Sequence, residues 1–213
     1  MKKFFLTAFV GLSLTAMAQH VTPLNIQVAE VKLDSLRTLY IAEPTMYRAS
    51  LEVVAQNLAK NAEEIKAAKA ELKVEQAHAK EMGASLKEAT KMTASLKKSY
   101  DKEEADLKAM QKTVEKQQKT LSKQKELNKE TQESYLKFLE QQQRELNASL
   151  RDVASRQHAI AELQTAITSS ENGLQVYIQE TQQKATDLAN LEAQHKERTS
   201  ILKAEQKAAK ALQ

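Results

Sequence analysis

The sequence predicts an all-α protein: an elongated antiparallel coiled-coil hairpin of two long helices behind a small N-terminal head. Three observations lead there. Turn formers are scarce, with three Gly and two Pro in 213 residues, where sandwiches, barrels and α/β folds need many more for their tight turns. Apolar residues recur every seventh position over most of the chain, as in a helical seam. That register shifts once, close to a strongly polar stretch where the chain can reverse. Aromatic residues are 4 % against 28 % charged, too few large side chains to fill a thick core.

The first eighteen residues read as a secretory signal peptide. Met1-Lys2-Lys3 is basic, Phe4 to Ala16 is largely apolar, and Ala16-Met17-Ala18 is a small-x-small cleavage signature before Gln19. The apolar run is shorter than the ~20 residues of a membrane span. An uncleaved signal anchor is the alternative. No second such run follows, so no integral membrane segment is expected after cleavage. The chain has no Cys, which excludes a lipid-modified cysteine and any disulfide. These features point to Sec-type export into a bacterial periplasm, or to full secretion.

Loss of Lys2 and Lys3 with the leader lowers 32 basic residues to 30, against 28 acidic. Opposite charges alternate, as in Lys60-Asn61-Ala62-Glu63-Glu64-Ile65-Lys66. A nucleic-acid binder would carry a basic stripe with stacking aromatics, so no nucleic-acid partner is expected.

Residues 19–43 form the head or arm. Leu24, Ile26 and Val28 alternate as on a strand. Val31, Leu33, Leu36, Leu39 and Tyr40 shift to helical spacing. Pro44 ends what precedes it and is suited to the first turn of a new helix. The first long helix is assigned to 44–127. Its heptad a row runs Leu51, Leu58, Ile65, Leu72, Ala79, Leu86, Thr93, Tyr100, Leu107, Val114 and Leu121, with only Thr93 neither apolar nor aromatic. The d row is mixed, running from Val54 and Asn61 through Ala68, Glu75 and Met82 to Glu103, Met110 and Gln117.

The second long helix is assigned to 133–213. Its register runs Leu139, Leu146, Val153, Ile160, Ile167, Leu174, Thr181, Leu188, His195, Leu202 and Ala209. Leu163, Tyr177, Leu191 and Leu212 support it three residues on, and Leu150 and Ile178 four on. The two registers disagree by four residues near 135–139. One continuous helix with a stutter there is the alternative, and a shorter multi-helix bundle is a third arrangement. A reversal at 128–132 is preferred, because Gln124 to Ser134 is the most polar stretch, Asn128 tolerates a turn and Thr131 can cap a helix. That tip also makes the arms nearly equal and sets Gly83 opposite Gly173. Polar d residues such as Glu75, Glu103, Gln117, Arg156 and Lys184 are expected to weaken the seam and leave room for water or another chain.

Chemistry-bearing constellations are absent from the sequence. Four histidines, His20, His78, His158 and His195, are never spaced i, i+3 or i, i+4, so no metal is expected. Adjacent acids such as Glu63-Glu64 point to different sides of a helix. There is no glycine-rich phosphate loop and no Gly-x-Ser-x-Gly elbow. The expectation is a non-enzyme with no cofactor and no small-molecule substrate. His195, within an apolar row, reads either as a pH-sensitive seam residue or as a residue that sets register. Candidate partner contacts are Tyr135, Phe138 and Leu139 near the tip, and Tyr40 and Tyr47 at the other end. The first group could instead close the seam, and the second could fold over its open end.

In plan, a signal peptide, a small head carrying Leu24, Ile26 and Val28, and long helical arms resemble the Skp/OmpH-type periplasmic chaperones. That resemblance implies arms that shelter unfolded envelope proteins. The carboxyl end, Lys203 to Gln213, reads helical where that family closes its head with a strand. The coiled-coil portion also resembles those of murein-hydrolase activators and efflux adaptors, without their additional domains. The expected function is therefore an exported structural or interaction protein, a scaffold or spacer of the cell envelope. It would bind protein partners, itself included, with a holdase chaperone as the alternative.

Overall fold

The computed structural model describes residues 21–30, 43–124 and 128–211. The expected leader 1–18, His20, the helical spacing from Val31 to Tyr40, Tyr40 itself and Leu212 lie outside these residues. Two helices make up most of what is described: α1, Pro44–Leu121, and α2, Lys129–Ala211. They pack against each other in opposite directions, so the chain is an all-α helical hairpin. The continuous rod and the multi-helix bundle are thereby excluded. Helices of 78 and 83 residues cannot be held by propensity alone, and each supplies the apolar stripe that the other needs.

Both a rows end up inside. Every position from Leu51 to Leu121, and every one from Leu139 to Ala209, is buried or half-buried. Thr93, the polar exception, is 2 % exposed. Its hydroxyl donates to the Ala89 carbonyl at 2.8 Å, so it enters the seam with its polar atom already paired. Thr181 does the same with Tyr177 at 2.8 Å and Ser170 with Ala166 at 2.9 Å. Of the two supporting positions on one turn, Tyr177 is buried and Ile178 stays exposed.

The contacts divide into two units. Among the described residues, a turn unit comprises Ala84–Asn172, and an arm unit combines those from 21 to 83 with those from 173 to 211. In the turn unit Leu86, Thr93, Val114, Leu139, Val153, Ile160 and Ile167 form the buried row. Polar pairs fix its register: Thr90 with Glu171, Gln157 with Asp101 and Glu104, Gln111 with Asn147, and Gln118 with Gln143. From the first pair to the last each helix advances 28 residues, which is four heptads.

The reversal lies between Leu121 and Lys129, earlier than the 128–132 expected from sequence. Side-chain caps explain the difference. Asn128 Oδ1 accepts the Glu130 amide at 3.2 Å, and the Asn128 carbonyl accepts the Gln132 amide at 3.0 Å. Asn128 is thus the N-cap, with acidic Glu130 in the first turn of the helix where the dipole favours it. Thr131, the expected cap, lies exposed inside α2. Gln132 Nε2 then reaches across to the Leu121 carbonyl at 2.8 Å, a second donor on an acceptor that the Gln124 amide also meets at 3.2 Å at the end of α1.

The glycines do not face each other. Gly83 is half-buried, and a Cβ added there would sit 3.6 Å from Leu174 Cδ2, while Gly173 is exposed. Neither has positive φ. The spacing at Gly83 is ordinary van der Waals contact, so alanine fits. Gly83→Ala is expected to stabilise the protein by about 0.5–1 kcal/mol through lower backbone entropy in the unfolded chain. Urea unfolding followed by circular dichroism measures it.

Candidate functional site

The arm unit holds a feature that periodicity alone did not reveal. Residues 21–30 have no regular secondary structure, yet they are held along the two helices. The Thr22 amide donates to Glu75 Oε1 at 3.1 Å, and the Ala29 amide to Asn61 Oδ1 at 3.0 Å. Seven residues of arm therefore match fourteen of α1, which at 1.5 Å per residue is about 21 Å. That leaves about 3 Å per arm residue, an extended chain, running antiparallel to α1.

The alternation of Leu24, Ile26 and Val28 now has its cause. These three are half-buried, while Asn25 and Gln27 between them are exposed. Leu24 and Ile26 pack on Ile65, Ala68 and Leu188. Val28 and Ala29 pack on the cluster of Tyr47, Leu51, Leu58, Leu202 and Ala209. The surface that receives the strand-like face is a pair of helices, so the segment forms no sheet ladder.

Asn61 supplies what a neighbouring strand would. Its Nδ2 donates to the Gln27 carbonyl at 3.0 Å while its Oδ1 accepts from Ala29. One carboxamide thus serves the C=O of one arm residue and the N–H two residues on, the pattern of a parallel β partner. Asn61 is 7 % exposed, and a buried amide needs these partners. On the other side Arg198 Nη1 donates to the Ala29 carbonyl at 3.0 Å.

Glu75 links the arm to the seam. The Lys184 ammonium lies 2.9 Å from Glu75 Oε1 and 3.7 Å from Glu71 Oε2. The Lys184 side chain is 4 % exposed and that of Glu75 13 %. Glu75 Oε2 is buried with no hydrogen-bond partner among the described residues. In the turn unit Arg156 similarly meets Glu103 at 3.6 Å, also pairs with Asp152, and lies 5.7 Å from the Tyr100 ring centre. Four of the five polar d residues thus pair between the helices instead of leaving gaps. Gln117, the fifth, stays exposed.

The histidines sit apart. His195 Nε2 is 2.8 Å from the Leu58 carbonyl; a carbonyl only accepts, so Nε2 carries the proton there. His78 meets Tyr177 edge-on at 6.2 Å. His158 lies exposed beside Glu162 at 3.5 Å. Among the described residues no three His, Asp or Glu side chains converge as a metal would require. No helix among them is long and apolar enough to cross a membrane.

Burial holds the Tyr177 hydroxyl above the ordinary tyrosine value of 10.0, and the carboxylates of Glu75 and Glu180 push the same way. The fold favours the protonated phenol. This stability is whole below the unfolded value and is lost as pH rises through the raised one. Tyr177→Phe is therefore expected to flatten the loss of stability between about pH 9 and 11. Urea midpoints across that range read the difference.

The expected contact residues fall into two classes. Tyr47 is 3 % exposed and its hydroxyl donates to Glu205 Oε2 at 2.7 Å. Leu139 is also buried. Both lie in the hairpin core, where Tyr47 joins α1 to α2 and Leu139 fills the a row. Tyr135 and Phe138 are 57 % and 55 % exposed, three apart on one face of α2. The same turn unit carries an open groove of about 740 Å³ whose lining includes Met110, Val114, Leu146 and Gln117. No family model, no curated protein and no solved structure matches this chain.

Proposed function

We propose that this is an exported coiled-coil interaction protein that acts as a scaffold or spacer in a bacterial cell envelope. The observation that carries the reading is the aromatic pair Tyr135 and Phe138, more than half exposed on one face of the turn unit. Large apolar side chains held out in water are the usual centre of a protein contact. The signal-like start, Met1-Lys2-Lys3 through Ala16-Met17-Ala18, supports export to the periplasm or beyond. The two-helix seam supplies a long, polar-flanked body on which partners can be spaced, with partner choice set by its charges.

A second reading, a holdase chaperone, is favoured by the open groove over Val114 and Leu146, which offers apolar surface to unfolded clients. A photo-crosslinking residue placed at Phe138 in the full chain, expressed in its native cells, separates the two. A scaffold gives one discrete adduct in the envelope fraction, and the mature protein begins at Gln19. A holdase gives a broad ladder of adducts with many unrelated proteins. Absence of any adduct, with the protein retained in the cytoplasm, contradicts both.

A further inference from the structure

We propose that the turn unit is one half of a four-helix dimer, its open groove closed by the same groove of a second copy of this chain. The twofold axis runs along the hairpin, so both tips lie at one end and α1 of each copy faces α2 of the other. This gives a partner to the face on which Tyr135 and Phe138 stand, and it rests on the reading of that face as a contact surface.

The seam of the turn unit has one closed side and one open side. Counted from the a rows, the pairs Thr90 with Glu171, Glu104 with Gln157 and Gln118 with Gln143 all join e positions. The exposed large apolar residues of the unit keep to the other side. Met92 and Phe138 are g residues, and Met110 and Tyr135 are d residues. Met92 is 43 % exposed and the other three more than half. The groove opens on that same side. Its lining takes Met110, Gln117, Gln142 and Ser149 from the d rows, and Val114 and Leu146 from the a rows.

The d layers say what closes it. Glu103 and Arg156 are both d residues and lie 3.6 Å apart. Heptad steps from that pair bring Leu96 level with Leu163, Met110 with Ser149 and Gln117 with Gln142. A twofold axis along the hairpin preserves every level, so each d residue of α1 meets the same α2 residue of the second copy. Leucine then meets leucine, and carboxamide meets carboxamide. Met110 meets Ser149, a large side chain against a small one. In the charged layer the signs alternate around the four helices, Glu103 and Arg156 of one copy followed by Glu103 and Arg156 of the other. Arg156 Nε is buried with no hydrogen-bond partner among the described residues, and Glu103 of the second copy is the acceptor this layer assigns to it. Asp106 and Asp152 meet at the outer edge as like charges, but Arg156 already holds Asp152. The area is sufficient as well. From the Thr90 pair to the Gln118 pair the open face runs 28 residues, about 42 Å long, and two helices make it about 20 Å wide. Each copy thus offers about 800 Å², the share of one partner in a standard stable interface.

Sedimentation velocity on the full chain purified from its native cells measures the assembly. A two-chain species is expected at about 10 μM. Met110→Glu should weaken it at least about tenfold with the helical melt retained, because Met110 is exposed in the hairpin itself. Val176→Glu, at an exposed position of the arm unit, should change it by less than about twofold. The arrangement is read by co-refolding one copy carrying Met110→Cys with another carrying Ser149→Cys, since the chain has no cysteine of its own. Air oxidation should give the mixed disulfide in excess over either symmetric one. A single-chain mass up to about 100 μM with the helices intact overturns the proposal. So does a dimer that Met110→Glu leaves untouched, or an excess of the symmetric Met110→Cys disulfide. A single-chain mass together with one discrete Phe138 adduct to a different protein overturns the second copy as occupant and keeps the contact face. A single-chain mass with no Phe138 adduct overturns both.

Discussion

Lys184→Met is expected to destabilise the protein by about 3–5 kcal/mol, the cost of leaving one member of a buried ion pair alone. Lys184 is nearly inaccessible, and Glu75 opposite it has one oxygen on the ammonium and the Thr22 amide and the other without a partner among the described residues. Removing the ammonium strands a carboxylate whose remaining donors are too few to replace water. The diagnostic is the double variant. Glu75→Leu with Lys184→Met removes both charges, so most of the lost stability should return, because apolar pairs of similar volume often serve as well as a buried bridge. Urea unfolding of the two single variants and the double gives the coupling directly. If the double is as unstable as the sum of the singles, the pair does not act as a unit.

Leu188→Ala is the other large loss, about 2–5 kcal/mol. Leu188 is 2 % exposed and packs with Ile65 and Ala68, and the arm residues Leu24 and Ile26 rest on the same cluster. The substitution removes transfer free energy and leaves a void that a helix backbone cannot close. It should also loosen the arm, so faster exchange of the Ala29 amide should accompany the lower unfolding midpoint. Val176→Ala is the matched control. Val176 is 54 % exposed on the same helix, and its loss should stay within about 0.5 kcal/mol.

The hairpin was legible because a heptad pattern depends only on local spacing. Leu51 to Leu121 and Leu139 to Ala209 each keep one face for scores of residues, and that face is the one buried. The turn was less legible. Its bounds depend on Asn128 as an N-cap, where Asn128 and Thr131 are both capable of capping and only the fold chooses between them, and on Gln132 reaching the Leu121 carbonyl across the reversal, a role that Gln does not mark in sequence. Matched spacing set the glycines level to within one residue, since Gly83 meets Leu174, but not on facing sides, since Gly173 is exposed.

The arm site was half legible. The alternation of Leu24, Ile26 and Val28 announces a segment with one apolar face, and that is what the structure holds. Nothing in it says that the covering surface is a helical groove. Asn61, Glu75, Lys184 and Arg156 look like defects in a seam because their partners are far away in sequence. Lys184 and Glu75 are 109 residues apart, and Asn61 and Gln27 are 34 apart. Tyr47 posed the same difficulty: an aromatic near a helix start reads as a contact candidate until Glu205 is found 158 residues on to receive its hydroxyl.

The antiparallel pairing on which all of this rests can be measured as one distance. The chain has no cysteine, so Thr90→Cys with Glu171→Cys accepts two nitroxide labels and no others. These residues lie opposite each other, with Thr90 Oγ1 3.5 Å from Glu171 Oε1. Labelled protein diluted in unlabelled protein restricts the dipolar signal to pairs within one molecule. A hairpin gives a spin–spin distance within about 20 Å, two label tethers beyond the 8–10 Å separation of packed helix axes. A single unbroken helix would hold the same positions about 120 Å apart, and the absence of any dipolar modulation would contradict the paired-helix structure.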